Sequence, residues 1–455
     1  MRKVDYQEFI TQRYQWKHGD GFDSKSPEFL FDFQKYLVEW ALKKGRAAIF
    51  SDCGTGKGPM ALAFADQCIR RENKPALICT PIAVGSQLVK EAEKFGIDAV
   101  RSREGEFSGG AKVVITNYEQ LHKFDPSGFC CVVGDESSCI KDSKTERKKV
   151  VTEFFRTIRY RLLCTATAAP NDVWELGTSS EALGLLGFRD MVTTFFKQET
   201  QKNYLGWGRT KYRFRGHAEE PFWGWVCSWA RSMQKPSDLG FSDARFDLPA
   251  LIENNIVVKS SKARQGRLFT MPARDMQEER EDRRNTIEER TDKAAEVAMS
   301  NDGYSVIWCE LNDEGDMLEK KISDSVQIKG STSDSKKEEL LSAFSNGEVK
   351  RLVLKPKIGA WGLNWQHCNN VVMLPSHSYE RDYQAVRRCW RFGQTKPVTV
   401  TRIVSEGEEK ILSNLERKAS QSARMFQSIV AHMKDAMHLA SQDFFPEQEE
   451  LPKWL

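Results

Sequence analysis

A chain of 455 residues exceeds what one compact core can hold, so two or three domains are expected. Apolar residues at 40% and aromatic residues at 11% exclude a disordered chain, while a net charge of +4 is too small to mark a nucleic-acid partner by itself. No apolar run has spanning length, and the start MRKVDYQEF lacks the apolar core of a signal peptide, so no membrane association and a cytoplasmic location are expected. Eleven scattered cysteines without a Cys-x-x-Cys pair indicate neither a zinc site nor a disulfide framework.

Phe33 and Gln34 precede the helical segment that leads into the first apolar run, RAAIF (46–50). A carboxamide there can read an adenine edge with paired donor and acceptor groups. Next comes SDCGTGKGPMALAFA (51–65), a glycine-rich turn entering a helix. Gly54 and Gly56, on either side of Thr55, let the backbone wrap phosphate, and Lys57 reaches the terminal phosphates. Ser51 stands where a strict P-loop has its first glycine, and Gly58 stands where it has the Ser or Thr that ligates Mg²⁺. A plain strand-to-helix turn is the alternative reading.

The runs PALICT (75–80), KVVIT (112–116), FCCVVGD (129–135) and YRLLCTA (160–166) complete a first strand set. Strand carboxyl ends face the ligand in parallel α/β sheets. At such an end, Asp135 can hold Mg²⁺ while Glu136 positions and deprotonates an attacking water. Thr165 and Thr167 end the next strand, with hydroxyls placed to sense the same site. Basic residues from Lys144 to Arg159 then read as a solvated helix.

Residues 181–300 differ in character. Lys197, Lys202, Arg209, Lys211, Arg213 and Arg215 interleave with Tyr204, Trp207, Tyr212 and Phe214, a pattern suited to nucleic acid or to a basic loop over a core. Phe222, Trp225 and Trp229 share one helical face and read as core. The Glu- and Arg-rich stretch 276–292 reads as an exposed helix with i,i+4 charge pairs.

A second strand set follows: YSVIWCE (304–310), SVQIKG (325–330), RLVLK (351–355), NVVML (370–374) and VTVTRIV (398–404). Inside it, QAVRRCWRFGQTKPV (384–398) sets Arg388 and Arg391 one helical turn apart, on one face of a short helix closed by Gly393 and Pro397. Such a fixed, charged fork suits a phosphate gaining negative charge during transfer. Leu412, Leu415, Ala419, Phe426, Ile429 and Met433 form a final apolar stripe that is expected to dock on lobe two, with a partner protein's helix as the alternative.

Continuous apolar strands alternating twice with helices predict an α/β fold: two parallel-sheet lobes with a helical and aromatic insertion between them. The expected domains are lobe one at 1–180, the insertion and linker at 181–300, lobe two at 301–410, and a C-terminal helix and tail at 411–455.

From 33 to 404 the ordered set resembles superfamily 2 helicases, and within them the Swi/Snf-type double-stranded DNA translocases, closest to compact helicase-like proteins of bacteriophage genomes. Gln34 matches the adenine motif and Gly54-Thr55-Gly56-Lys57 matches motif I, with Thr80-Pro81 at motif Ia. Asp135-Glu136 stands at motif II, Thr165-Ala166-Thr167 at motif III and Gly362-Leu363-Asn364 at motif V. Gln384, Arg388, Arg391, Gly393 and Gln394 match motif VI, whose ending RFGQTKPV is the most family-specific part. The resemblance implies two RecA-like lobes with ATP and Mg²⁺ in the cleft, Arg388 and Arg391 completing the site, and ATP-driven movement along double-stranded DNA. It places the protein in the cytoplasm, that of the host if phage-encoded.

The chain departs from the pattern at two places. Gly58 removes the Mg²⁺-binding hydroxyl, and Ser137-Ser138 replaces the Ala-His that usually follows Asp-Glu. A nucleotide-dependent DNA-binding switch with weak hydrolysis therefore stands as an alternative, as does a motor subunit of a nuclease complex.

Overall fold

A computed structural model describes residues 21–82, 84–107, 113–202, 208–259, 276–359 and 363–438. They fall into two units: Met1–Asp243 together with Ser422–Leu455, and Ala244–Gln421.

The first unit runs α1 (Asp32–Lys44), β1 (Arg46–Ser51), α2 (Lys57–Glu72), β2 (Ala76–Thr80), α3 (Gly85–Lys94), β3 (Ala99–Arg101), β4 (Val113–Asn117), β5 (Cys131–Asp135), α4 (Glu146–Thr157) and β6 (Tyr160–Thr165). It continues with α5 (Leu176–Ala182), α6 (Phe188–Phe195), β7 (Phe196–Lys202), β8 (Gly208–Phe214), α7 (Glu219–Trp229) and β9 (Ala230–Met233). Seven strands form one sheet in the order β3-β4-β2-β5-β6-β1-β9, all parallel. The central strands are buried along their whole length because helices cover both faces. The pair β7–β8 is a separate antiparallel hairpin.

The second unit contains β10 (Leu251–Val258), α8 (Met276–Asn285), α9 (Ile287–Met299), β11 (Ser305–Trp308), α10 (Asn312–Lys321), β12 (Ser325–Ile328) and α11 (Asp334–Ser345). It ends with β13 (Arg351–Leu354), α12 (Pro356–Gly359), β14 (Asn370–Met373), α13 (Tyr379–Val386), β15 (Val398–Ser405) and the first part of α14 (Glu409–His438). Its sheet, in the order β10-β15-β14-β11-β13-β12, is also parallel throughout. Strand alternation divides the core: Val306, Leu352 and Val371 pack with Trp365 and Phe344 on one face, and Ile307, Val353 and Val372 pack with Ala294 and Leu318 on the other.

All ten apolar runs are strands, and both lobes are RecA-like parallel-sheet α/β structures. The boundaries differ from those expected. The segment 181–243 belongs to the first unit, because β9 adds the seventh strand beside β1 and Trp229 meets Phe50 of β1 edge-on at 6.0 Å. Residues from Ala244 onward belong to the second unit, where β10 pairs with β15. The C-terminal stripe is divided as well. Its residues up to Ala419 lie in the second unit, whereas Phe426, Ile429 and Met433 are buried in the first, where the Cys227 thiol donates to the Ile429 carbonyl at 3.5 Å.

The Glu/Arg-rich segment is not simply solvated. Arg290 Nη1 lies 2.7 Å from Glu314 Oε1 and Arg283 Nε 2.7 Å from Glu408 Oε1, with Arg290, Glu314 and Glu408 side chains fully buried. Glu314 also caps α10 by accepting from the backbone N–H of Glu310 and Leu311 at 2.9 and 3.0 Å. Burial alone raises the Glu314 pKa, but the charges of Arg290 and Arg283 outweigh it and hold the carboxyl below its ordinary value. A depressed carboxyl contributes stability above its unfolded pKa and loses it as pH falls through the folded one. Glu314→Gln is expected to cost about 3–5 kcal/mol, since it removes the close partner of buried Arg290 and leaves only the 3.5 Å approach to Glu408. Urea denaturation checks this, and the variant should lose less stability than the parent between neutral and acid pH.

Candidate functional site

The parallel register brings the carboxyl ends of β1, β2, β5 and β6 side by side. Cys79 pairs with Gly134, Asp135 with Cys164, and Phe50 with Thr165. Ser51, Thr80, Asp135 and Thr165 therefore end neighbouring strands at one edge of the sheet.

Between β1 and α2 the chain makes the phosphate-type turn. Gly54 and Gly56 have φ of +87° and +83°, which side-chain-bearing residues rarely adopt. Gly56 also leaves no room: a Cβ there would sit 2.2 Å from Gln34 Nε2. Gln34 donates to the Thr55 carbonyl at 2.9 Å and accepts from the Phe31 N–H at 3.0 Å. Both ends of its carboxamide thus brace the turn and the start of α1, a role the adenine reading did not anticipate. Lys57 Nζ lies 3.1 and 3.2 Å from the carbonyl oxygens of Ser51 and Asp52.

Asp135 and Glu136 are both buried, at 7% and 4% exposure. Asp135 Oδ2 accepts from the Thr80 hydroxyl at 3.2 Å, and Tyr118 OH donates to the Asp135 carbonyl at 2.7 Å. Burial, followed by the neighbouring Glu136 charge, raises the Asp135 pKa, with Lys57 and Thr80 acting against the shift. Glu136 has φ of +50°, a left-handed conformation costly for a residue with a side chain. Its Oε2 lies 3.5 Å from the Thr165 hydroxyl, the outer limit of a hydrogen bond. The Ser137 and Ser138 hydroxyls are buried without a partner among the described residues.

Gly58 has a neighbour that no spacing along the chain could reveal. A Cβ there would lie 2.5 Å from Glu91 Oε2 and 3.3 Å from Leu88 Cδ1, both on α3. The carboxylate of Glu91 fills the space that a hydroxyl-bearing side chain would take.

In the second unit, Gln384 is fully buried and holds Arg388 at two points. Arg388 Nε donates to the Gln384 carbonyl at 2.9 Å, and Nη2 donates to its Oε1 at 2.8 Å. Arg388 Nη1 and Arg391 Nη1 both reach the Leu363 carbonyl, at 3.2 and 3.0 Å. The two arginines do converge, but not on a shared helical face. Helix α13 ends at Val386, and both arginines lie in the turns that follow, where Gly393 takes φ of +89°. Gln394 secures these turns by donating to the carbonyls of Cys368 and Cys389. Arg402 on β15 clamps Asp382 of α13 with bonds of 2.9 and 2.7 Å, fixing the helix to the sheet. Gly362 lies outside the described residues.

Of the aromatic–basic stretch, Tyr204 and Trp207 also lie outside the described residues. Phe214 stacks on Phe196 at 4.6 Å and meets Phe222 at 5.3 Å, so it serves the core. Phe222, Trp225 and Trp229 are buried, as their spacing predicts.

Residues 289–393, from α9 through the arginine turns, match the helicase conserved C-terminal domain. The chain is 31% identical over 141 residues to the Protein CHROMATIN REMODELING 20 of Arabidopsis thaliana, covering 29% of this chain and 10% of that one. It is 28% identical over 156 residues to the DNA repair and recombination protein RAD54 of Saccharomyces cerevisiae, covering 32% of this chain and 17% of that one. These matches support a superfamily 2 helicase of the Swi/Snf type. The chain spans only a small part of the length of those relatives, and the expected kinship with phage proteins gains no support from them. The structure of S. cerevisiae Dbp5 bound to RNA and ADP BeF3 shares its fold, with a TM-score of 0.55 at 12% identity over 94% of this chain and 97% of that one. Among the described residues, no helix is long and apolar enough to cross a membrane.

Proposed function

We propose that the chain is a DNA-dependent ATPase that moves along double-stranded DNA. The observation that carries this reading is the row of strand ends: Lys57, Thr80, Asp135 and Glu136 gathered at one edge of a parallel sheet, beside a turn whose Gly54 and Gly56 take positive φ. Gly54, Thr55 and Gly56 offer backbone N–H groups, and Lys57 exchanges the carbonyls of Ser51 and Asp52 for terminal phosphate oxygens. Asp135, buried beside a second carboxylate, suits a divalent cation and is the residue to hold Mg²⁺, directly or through water. A divalent cation held there would neutralise phosphate charge. Glu136 orients the attacking water and takes its proton. Arg388 and Arg391 neutralise the charge that develops on the γ-phosphate, with Gln384 bracing Arg388. Double-stranded DNA is preferred to single strands or RNA because the RFGQTKPV run resembles the translocase branch. Displacement of a triplex-forming strand without separation of the underlying duplex tests movement; failure to displace it at saturating ATP contradicts it.

A weakly hydrolysing, nucleotide-dependent DNA-binding switch is the second reading, favoured by Gly58 and the carboxylate beside it. Gly58→Thr is expected to raise ATP turnover by restoring the hydroxyl. Gly58→Thr combined with Glu91→Ala should raise it further, since Glu91 no longer has to swing aside. Unchanged or lower turnover in both folded variants, measured by phosphate release, removes the hydroxyl as the limiting feature.

A further inference from the structure

The basic stretch around α4 and Tyr212 of the aromatic–basic stretch, far apart in sequence, meet in a groove of about 850 Å³ lined by α4, the end of α5, the start of α6 and β8. Lys144, Lys148, Arg156 and Arg189 line it against two carboxylates, Glu181 and Asp190. Lys148 is neutralised by Glu181 at 2.6 Å. Lys144, Arg156 and Arg189 form no ion pair among the described residues. This separates them from Arg147 and Arg159 of the same segment, which pair with Glu119 and Glu72 at 2.7 and 3.5 Å. Phe188 and Tyr212 complete the wall, held by Trp174, which meets them edge-on with ring centroids at 6.0 and 5.4 Å.

We infer that this groove binds a run of phosphodiester backbone, as a DNA-binding surface separate from the nucleotide site; the inference rests on the DNA reading above. The spacing favours a polyanion over a single phosphate. Lys144 lies just before the start of α4 and Arg156 in its last turn, and from Glu146 to Arg156 a rise of 1.5 Å per residue gives about 15 Å. One phosphate cannot bridge such a gap, whereas successive phosphates of one strand, about 3.4 Å apart along the axis, can follow it. Aromatic rings set in the same wall add apolar surface for the sugars of a strand, which a simple inorganic anion does not need.

The test is binding of the full chain to a fluorescent DNA duplex across a salt series, with and without the triple change Lys144→Gln, Arg156→Gln, Arg189→Gln. The Lys148–Glu181 pair is left intact to preserve the fold. Removing one cation that neutralises a phosphate should lower the slope of log K against log salt by about 0.9, so the triple variant should drop by up to about 2.7, with nucleotide binding unchanged. Should the triple variant fail to fold, Arg189→Gln alone is expected to lower the slope by about 0.9. Unchanged slope and affinity in a folded variant overturn the groove while leaving the ATPase reading standing. A parent protein that binds no duplex at any salt overturns the DNA reading and the groove with it. Variant-sensitive binding of polyglutamate with variant-insensitive DNA binding makes the groove a docking site for acidic protein, and also overturns the inference.

Discussion

Replacing Glu136 with Gln is expected to lower ATP turnover by roughly 10²–10⁴-fold while nucleotide binding persists. The amide keeps the shape and the 3.5 Å approach to Thr165 but cannot take a proton from water. The backbone at Glu136 is held in the left-handed region at φ +50°, and Tyr118 anchors the preceding carbonyl at 2.7 Å. Strain retained at the first residue after a strand aims that side chain rather than stabilising the fold. Binding of a fluorescent ATP analogue, read beside single-turnover hydrolysis, separates the two effects. A variant that hydrolyses at the parental rate removes Glu136 as the base.

Arg391→Ala is expected to lower turnover by about 10³–10⁵-fold with little change in stability. Arg388→Ala should lower turnover as well, but it should also destabilise the second unit. The difference lies in burial. Arg388 is 2% exposed and carries two bonds to Gln384 besides the Leu363 carbonyl, so its loss leaves buried acceptors unpaired. Arg391 is only partly buried. Steady-state kinetics alongside thermal melts check the pair. Equal melting losses in both variants would show that Arg391 is structural, and full activity in Arg391→Ala would remove it from the site.

Much of the sheet architecture was legible because its strands are short, unbroken runs of Val, Ile and Leu, a pattern that burial on both faces imposes. Besides the hairpin β7–β8, three strands of the two parallel sheets escaped for physical reasons. β10 lies at a sheet edge, largely exposed around Glu253-Asn254-Asn255, so it has no apolar run to announce it. β9 has only four residues and follows directly on a Trp-rich helix, and β3 has three. The residues of motifs I and II were legible because phosphate chemistry demands glycine, lysine and paired carboxylates in fixed order. Their wiring was not. That Gln34 braces the turn at Thr55, that Glu91 fills the space over Gly58, and that Arg388 and Arg391 share one carbonyl all depend on contacts between segments distant in sequence. A spacing of three residues suggested a shared helical face for the arginines; the helix ends before them, and the loop at Leu363 gathers them instead.

The glycine at position 58 is where the two functional readings part. A motor needs hydrolysis that DNA accelerates, whereas a switch needs only binding that nucleotide changes. The most direct measurement is ATP turnover of the full chain, first without nucleic acid and then with duplex DNA, single-stranded DNA and RNA in turn. A duplex-stimulated rate that is lost in Glu136→Gln is the expected result, and no stimulation by any of the three nucleic acids would contradict the motor.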